Sequence, residues 1–128
     1  MNSESSKIRN FTDLIVWQKA QSLVLEIYKL TEAFPRDERY SLTDQIRRAA
    51  ISATSNIAEG FSRNSYKEKI HFYGIAQGST AELQNQLILG KDLGYIPISN
   101  FDETFQRSIL VHKLINGLIK GARKISNT

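Results

Sequence analysis

The stretch QIRRAAISATSNIAEGFSR, Gln45–Arg63, holds two adjacent arginines, a run of alanines and serines, and no aromatic residue before Phe61. From about Ser41, Leu42, Ile46, Ala49, Ala50, Ala53 and Ile57 recur at helical spacing, and Gly60 stands where a left-handed C-terminal cap would sit. Gly74, Ala76, Gly78 and Ser79 further along are equally small. Small side chains let helix axes come closer than the usual ~8–10 Å, and a glycine inside a helix costs about 1 kcal/mol unless something requires it. The stretch therefore reads as a helix face that another helix, of the same or a second chain, approaches closely.

Working outward, three more helical segments follow from the same period. The first begins after Thr12-Asp13, either of which can cap it, and carries Leu14, Trp17, Gln21, Val24, Tyr28, Thr31 and Phe34 before Pro35. Ile15, Leu23 and Leu30 lie outside that row, which predicts a second contact surface. The third opens with the capping-box pattern Ser65-Tyr66-Lys67-Glu68 and runs to Gly94, about 29 residues or about 43 Å, with Tyr95 expected to fold back on Leu89. The fourth is predicted to begin after Ser99, with Asp102 and Glu103 in its first turn and Lys120, Arg123 and Lys124 near its end, which suits the helix dipole. Nothing alternates with period two for long enough to form a strand. Short breaks make neighbouring helices antiparallel, so the fold class is all-α: an up-down-up-down four-helix bundle over residues 13–124, with tails at 1–12 and 125–128.

Composition narrows the function. At 128 residues the chain is one domain, with 41 % hydrophobic and 23 % charged residues, ordinary values for a globular protein. No apolar run approaches the roughly 20 residues of a membrane span, and the polar start MNSESSKIRN lacks the apolar core of a signal peptide, so a cytoplasmic protein is expected. With no cysteine there is neither a disulfide framework nor a thiolate nucleophile. His71 and His112 are the only histidines, and Glu68-x-x-His71 has no second Glu-x-x-His to complete a di-iron set; capping accounts for Glu68 better. No nucleophile elbow, P-loop or GxGxxG occurs. The expectation is a non-enzyme with no cofactor and no metal site.

The net charge of +4 favours polyanions mildly. Arg63, Lys67 and Lys69 fall near the positive end of the third helix and, with Arg47, could form a basic patch; Arg123 and Lys124 join them as nucleic-acid-binding candidates. Tyr66, Phe72 and Tyr73 nearby read as core rather than base-stacking residues. Arg48, Ser52, Ser55 and Glu59 make a polar row on the second helix, with Asn56 beside it, and are candidates for intersubunit or close-packing contacts. Glu59 lies eleven residues from Arg48, so its partner would belong to another helix or chain; simple solvation is the alternative.

Three segments, FTDLIVWQKA, FPRDERYSLTDQIRRAAISATSNIAEGFSR and FYGIAQGSTAELQNQLILGKDLGYI, resemble the bacterial four-helix-bundle family of 23S ribosomal RNA intervening-sequence proteins. The resemblance covers Phe11 to Lys124, and SNIAEG, Ser55–Gly60, is its most specific block. It implies a cyclic homopentamer without catalytic residues; a related group, accessory proteins of diversity-generating retroelements, implies positively charged pentamers that work with a reverse transcriptase and nucleic acid. Relatives often carry proline at the position of Thr54, so the second helix is expected to be straighter here. Two apolar faces suit head-to-tail contact between copies. The combined expectation is a homo-oligomer binding structured RNA or a nucleic-acid-handling partner through basic residues, the alternative being a protein-binding assembly scaffold with no nucleic-acid role.

Overall fold

Residues 7–127 are described by a computed structural model, and among them there are four α-helices and no strand: α1 Ile15–Thr31, α2 Leu42–Ser62, α3 Tyr66–Asp92 and α4 Ile98–Ser126. Residues 1–6 of the expected N-terminal tail lie outside the described residues. From Arg9 onward that tail is held by hydrogen bonds. Asn10 caps a 3-10 turn, Phe11–Asp13, by accepting from the Thr12 amide, while the Asp13 carboxylate accepts from the amides of Arg9 and Asn10. Those two amide bonds hold the Asp13 carboxyl below the usual carboxylate range. Thr12 and Asp13 thus serve this turn, and α1 starts behind Leu14 with no side-chain cap. Phe11 meets Trp17 edge-on at 5.4 Å, fastening the turn to α1.

Gly60 does not end α2. The helix continues to Ser62, and the only glycine with positive φ is Gly94, at 81°. What requires glycine at 60 is α3: a Cβ there would lie 2.6 Å from the Tyr73 ring and 3.2 Å from Phe72 Cβ. Ala49, Ala50 and Ala53 are buried on the same helix. At Thr54 the hydroxyl donates to the Ile51 carbonyl and α2 passes through unbroken.

Ser65 caps α3 by accepting from the Glu68 amide at 3.1 Å, but the return contact runs from the Ser65 hydroxyl to the Glu68 carboxylate rather than from the Ser65 amide. At the far end the Gly94 amide bonds Lys91 O and the Tyr95 amide bonds Gly90 O, a Schellman closure. Tyr95 does not fold on Leu89, which is exposed; its ring packs at 5.5 Å from Phe34 and its hydroxyl donates to Glu38 at 2.8 Å. The α1–α2 connection is thereby tied to the α3–α4 connection. α4 starts directly behind Pro97, so Asp102 and Glu103 fall beyond its first turn, and it extends to Ser126, into the expected C-terminal tail, of which Thr128 lies outside the described residues.

Ser41, Tyr95 and the Leu42 amide, in that order, donate to Glu38 and hold its carboxyl below the usual range. A carboxyl with a lowered folded-state pKa contributes stability that is complete above its unfolded value and is lost as pH falls through the folded value. Stability is therefore expected to decline below about pH 4.5, and Tyr95→Phe to shrink that acid-side decline, as urea midpoints between pH 3 and 6 would record. Identical pH profiles for both proteins would contradict the assignment.

All four helices contribute to one core, as in a four-helix bundle: Leu23 and Ile27 from α1, Ile46 and Ile57 from α2, Leu83 and Leu87 from α3, Val111 and Ile115 from α4. Of the residues expected on a second surface, Leu23 is core and Ile15 is 59 % exposed. Polar contacts cross the core margins. Ser52 bonds Ser79 at 2.7 Å, Thr80 bonds His112 at 2.7 Å and Gln77 bonds Asn116. Gln86 differs: it is buried and its Oε1 has no partner among the described residues. A sealed, unpaired acceptor costs about 1–3 kcal/mol, so Gln86→Met is expected to raise stability by about 1 kcal/mol in thermal melts. A loss of stability would mean that the amide is paired in solution.

Candidate nucleic-acid interface

The beginnings of α1 and α3 meet the end of α4 around one apolar groove of about 460 Å³, lined by Leu14, Ile15, Tyr66, Tyr73, Gly117 and Ile125 among others. Lys69 stands on its wall and reaches the end of α2, donating to the carbonyls of Phe61 at 2.7 Å and Gly60 at 3.4 Å. A lysine at a helix C-terminus satisfies carbonyls left over by the helix. Its burial lowers the Lys69 pKa. Arg63 is engaged as well: it pairs with Glu59 at 2.6 Å and Glu68 at 3.8 Å, lies over the Phe72 ring at 4.6 Å, and its Nε is buried without a partner among the described residues.

The remaining basic candidates here differ. Lys67, Arg123 and Lys124 are exposed and make no ion pair among the described residues. From Thr104 to the end, the sequence contains Arg107, Lys113, Lys120, Arg123 and Lys124 and no acidic residue. Arg107 is bound to Glu26 at 2.9 Å and Glu103 at 3.1 Å, but the other four have no such partner among the described residues. Lys113 and Lys120 were not among the sequence candidates, and the acid-free run from Thr104 was the signal that could have identified them.

Arg47 stands apart. Sixteen positions separate it from Arg63 at the C-cap of α2, about 24 Å along the axis. Its Nε donates to Thr31 at 2.8 Å, its Nη2 to the Tyr28 carbonyl at 3.3 Å, and its guanidinium lies 4.4 Å from the Tyr28 ring centre. It joins α2 to α1 and does not belong to the patch that the sequence suggested.

The polar row on α2 also resolves differently from expectation. Arg48 pairs with Asp44 one turn back on α2, and Glu59 pairs with Arg63 at the C-cap of α2, so within the chain both find a partner without another helix. Only the middle of the row bridges helices: Ser52 bonds Ser79 of α3, and Asn56 donates to the Ser52 carbonyl at 2.8 Å and hydroxyl at 3.2 Å. Ser55 is exposed. Among the described residues, no group of three or more His, Cys, Asp or Glu could hold a metal ion, and no helix is long and apolar enough to cross a membrane.

A family model, that of the 23S rRNA-intervening sequence protein, matches residues 12–117. The chain belongs to this family. The match ends at Gly117, so Lys120, Arg123 and Lys124 lie beyond it. The fold is similar to the crystal structure of a protein of unknown function from the S23 ribosomal protein family of Bacteroides thetaiotaomicron, with a TM-score of 0.77, 23 % identity, and coverage of 83 % of this chain and 99 % of that one. None of the curated proteins matches the sequence.

Proposed function

We propose that this member of the family is a non-enzymatic, cytoplasmic, self-associating bundle that binds structured RNA through the end of α4. The observation that carries the reading is the acid-free final segment of α4, with Lys113, Lys120, Arg123 and Lys124 exposed and without ion pairs among the described residues. Unpaired cations on a rigid helix suit a phosphate backbone, because each contact releases a condensed counterion.

In this reading the helices run up-down-up-down with antiparallel neighbours. The pairs Ser52–Ser79 and Gly60–Tyr73, and likewise Thr80–His112 and Gln77–Asn116, support that order. Self-association into a cyclic homopentamer is supported by the family resemblance and by two surface features. Ile98 is 70 % exposed and Ile15 is also exposed, and added Cβ atoms at Gly74, Gly78, Gly117 and Gly121 would meet nothing within 4 Å. Glycines that cost helix stability where the protomer would leave room for a side chain fit a surface that another copy approaches. Five protomers of +4 would carry about +20, which multiplies the phosphate contacts of one ring.

The test is fluorescence anisotropy of a labelled RNA hairpin. Affinity is expected to fall at least tenfold between about 50 and about 200 mM salt, and a flat response would refute the reading.

A further inference from the structure

We propose that the cleft between the end of α1 and the start of α2 binds a phosphorylated planar base, either an unpaired nucleotide of an RNA strand or a free nucleotide. The site lies in the half of α2 remote from Arg63 and is independent of the α4 interface. Two adjoining clefts, of about 630 and about 280 Å³, share Arg39, Thr43 and Arg47. Together they are within the size range of small-ligand sites.

Its cations are available. Arg36 and Arg39 make no ion pair among the described residues, and Arg48 is already matched by Asp44. Glu32, on the smaller cleft, is the one other acid in the lining. Arg47 uses Nε and Nη2 on Thr31 and Tyr28, which fixes its fork and leaves Nη1 for a ligand oxygen. A guanidinium held this way loses little freedom on gripping a phosphate.

The base has a platform as well. Tyr40, 86 % exposed, stands beside the clefts and not in their lining, with the guanidinium of Arg39, which lines both, 5.8 Å from its ring centre, while Tyr28 and Ile51 are exposed on the larger cleft itself. A lone exposed tyrosine would need no explanation, but rings interleaved with unpaired arginines are what single-stranded nucleic acid stacks upon. Thr43 completes the set: it is 9 % exposed, lines both clefts, and its hydroxyl makes no hydrogen bond among the described residues. That hydroxyl is not sealed from solvent and, without a protein partner among the described residues, is free to make a polar contact to the ligand.

Binding of a labelled single-stranded RNA hexamer (anisotropy) and of adenosine monophosphate (calorimetry) tests this with the full chain. Tyr40→Ala, on an exposed ring, is expected to weaken the preferred ligand about tenfold, Tyr40→Phe to retain binding within about twofold, and duplex RNA to be unaffected by either. Tighter binding of the hexamer assigns the site to an RNA nucleotide; equal or tighter binding of the monophosphate assigns it to a free nucleotide. Wild-type protein that binds neither, Tyr40→Ala protein that binds both unchanged, or loss of self-association in Tyr40→Ala would overturn the proposal.

Discussion

Reversing three charges at the end of α4, by Lys120→Glu, Arg123→Glu and Lys124→Glu together, is expected to weaken binding of a structured RNA about a hundredfold or more at ~100 mM salt. Each change deletes a cation and adds an anion facing the same phosphates. All three side chains are exposed and free of ion pairs among the described residues, so the fold itself should change little. New acids in the last turns oppose the helix dipole, at roughly 0.3–1 kcal/mol each, which a thermal melt would separate from lost binding. The slope of log affinity against log salt should also flatten by about 2 for each engaged protomer, since each lost phosphate contact removes about 0.7–0.9. Arg63→Gln and Lys69→Met serve as contrasts. Those residues are committed to Glu59 and to the carbonyls ending α2, so their replacement should lower stability more than RNA affinity. Affinity of the triple variant within about threefold of wild type would place the RNA elsewhere.

Much of this architecture could be read from local rules. Ser65 with Glu68, the arrest at Gly94, and basic residues closing α4 are each decided by a few neighbouring residues, and the structure has all three. Gly60 was misread because a glycine after an alanine-rich helix has two explanations, and only Tyr73, thirteen positions later on another helix, selects the second. That misreading had a consequence. Because α2 runs on past Gly60 to Ser62, Arg63 stands at its C-cap within reach of Glu59, a placement that a helix ending at Gly60 would not give. The candidate site shows the same division. Residue type marked Arg47, Arg63 and Lys69 as cations, but their occupation by Thr31, Glu59 and the Phe61 carbonyl depends on contacts between segments. The acid-free end of α4 needed no tertiary knowledge, because the absence of a counter-charge is visible in the sequence.

Gly60→Ala is expected to lower stability by about 2 kcal/mol, or the melting temperature by roughly 8 °C, although alanine is the better helix former. On an open helix surface the same change stabilises by up to about 1 kcal/mol. Here the new methyl would lie 2.6 and 2.8 Å from two carbons of the Tyr73 ring, which is buried and cannot swing aside, and 3.2 Å from Phe72 Cβ. Accommodation requires α2 and α3 to part, loosening the Ser52–Ser79 contact farther along the same seam. Gly117→Ala is the matched control, since its added methyl would meet nothing within 4 Å of the protomer. It should raise the stability of the isolated protomer by about 1 kcal/mol, and should weaken self-association if a second copy packs on that glycine. Urea melts read the first effect and sedimentation the second. Opposite signs for the two substitutions in the melts would locate the closest helix approach at α2 and α3. A Gly60→Ala protein as stable as wild type would mean that the approach, and with it the reason for glycine in the SNIAEG block, is not there.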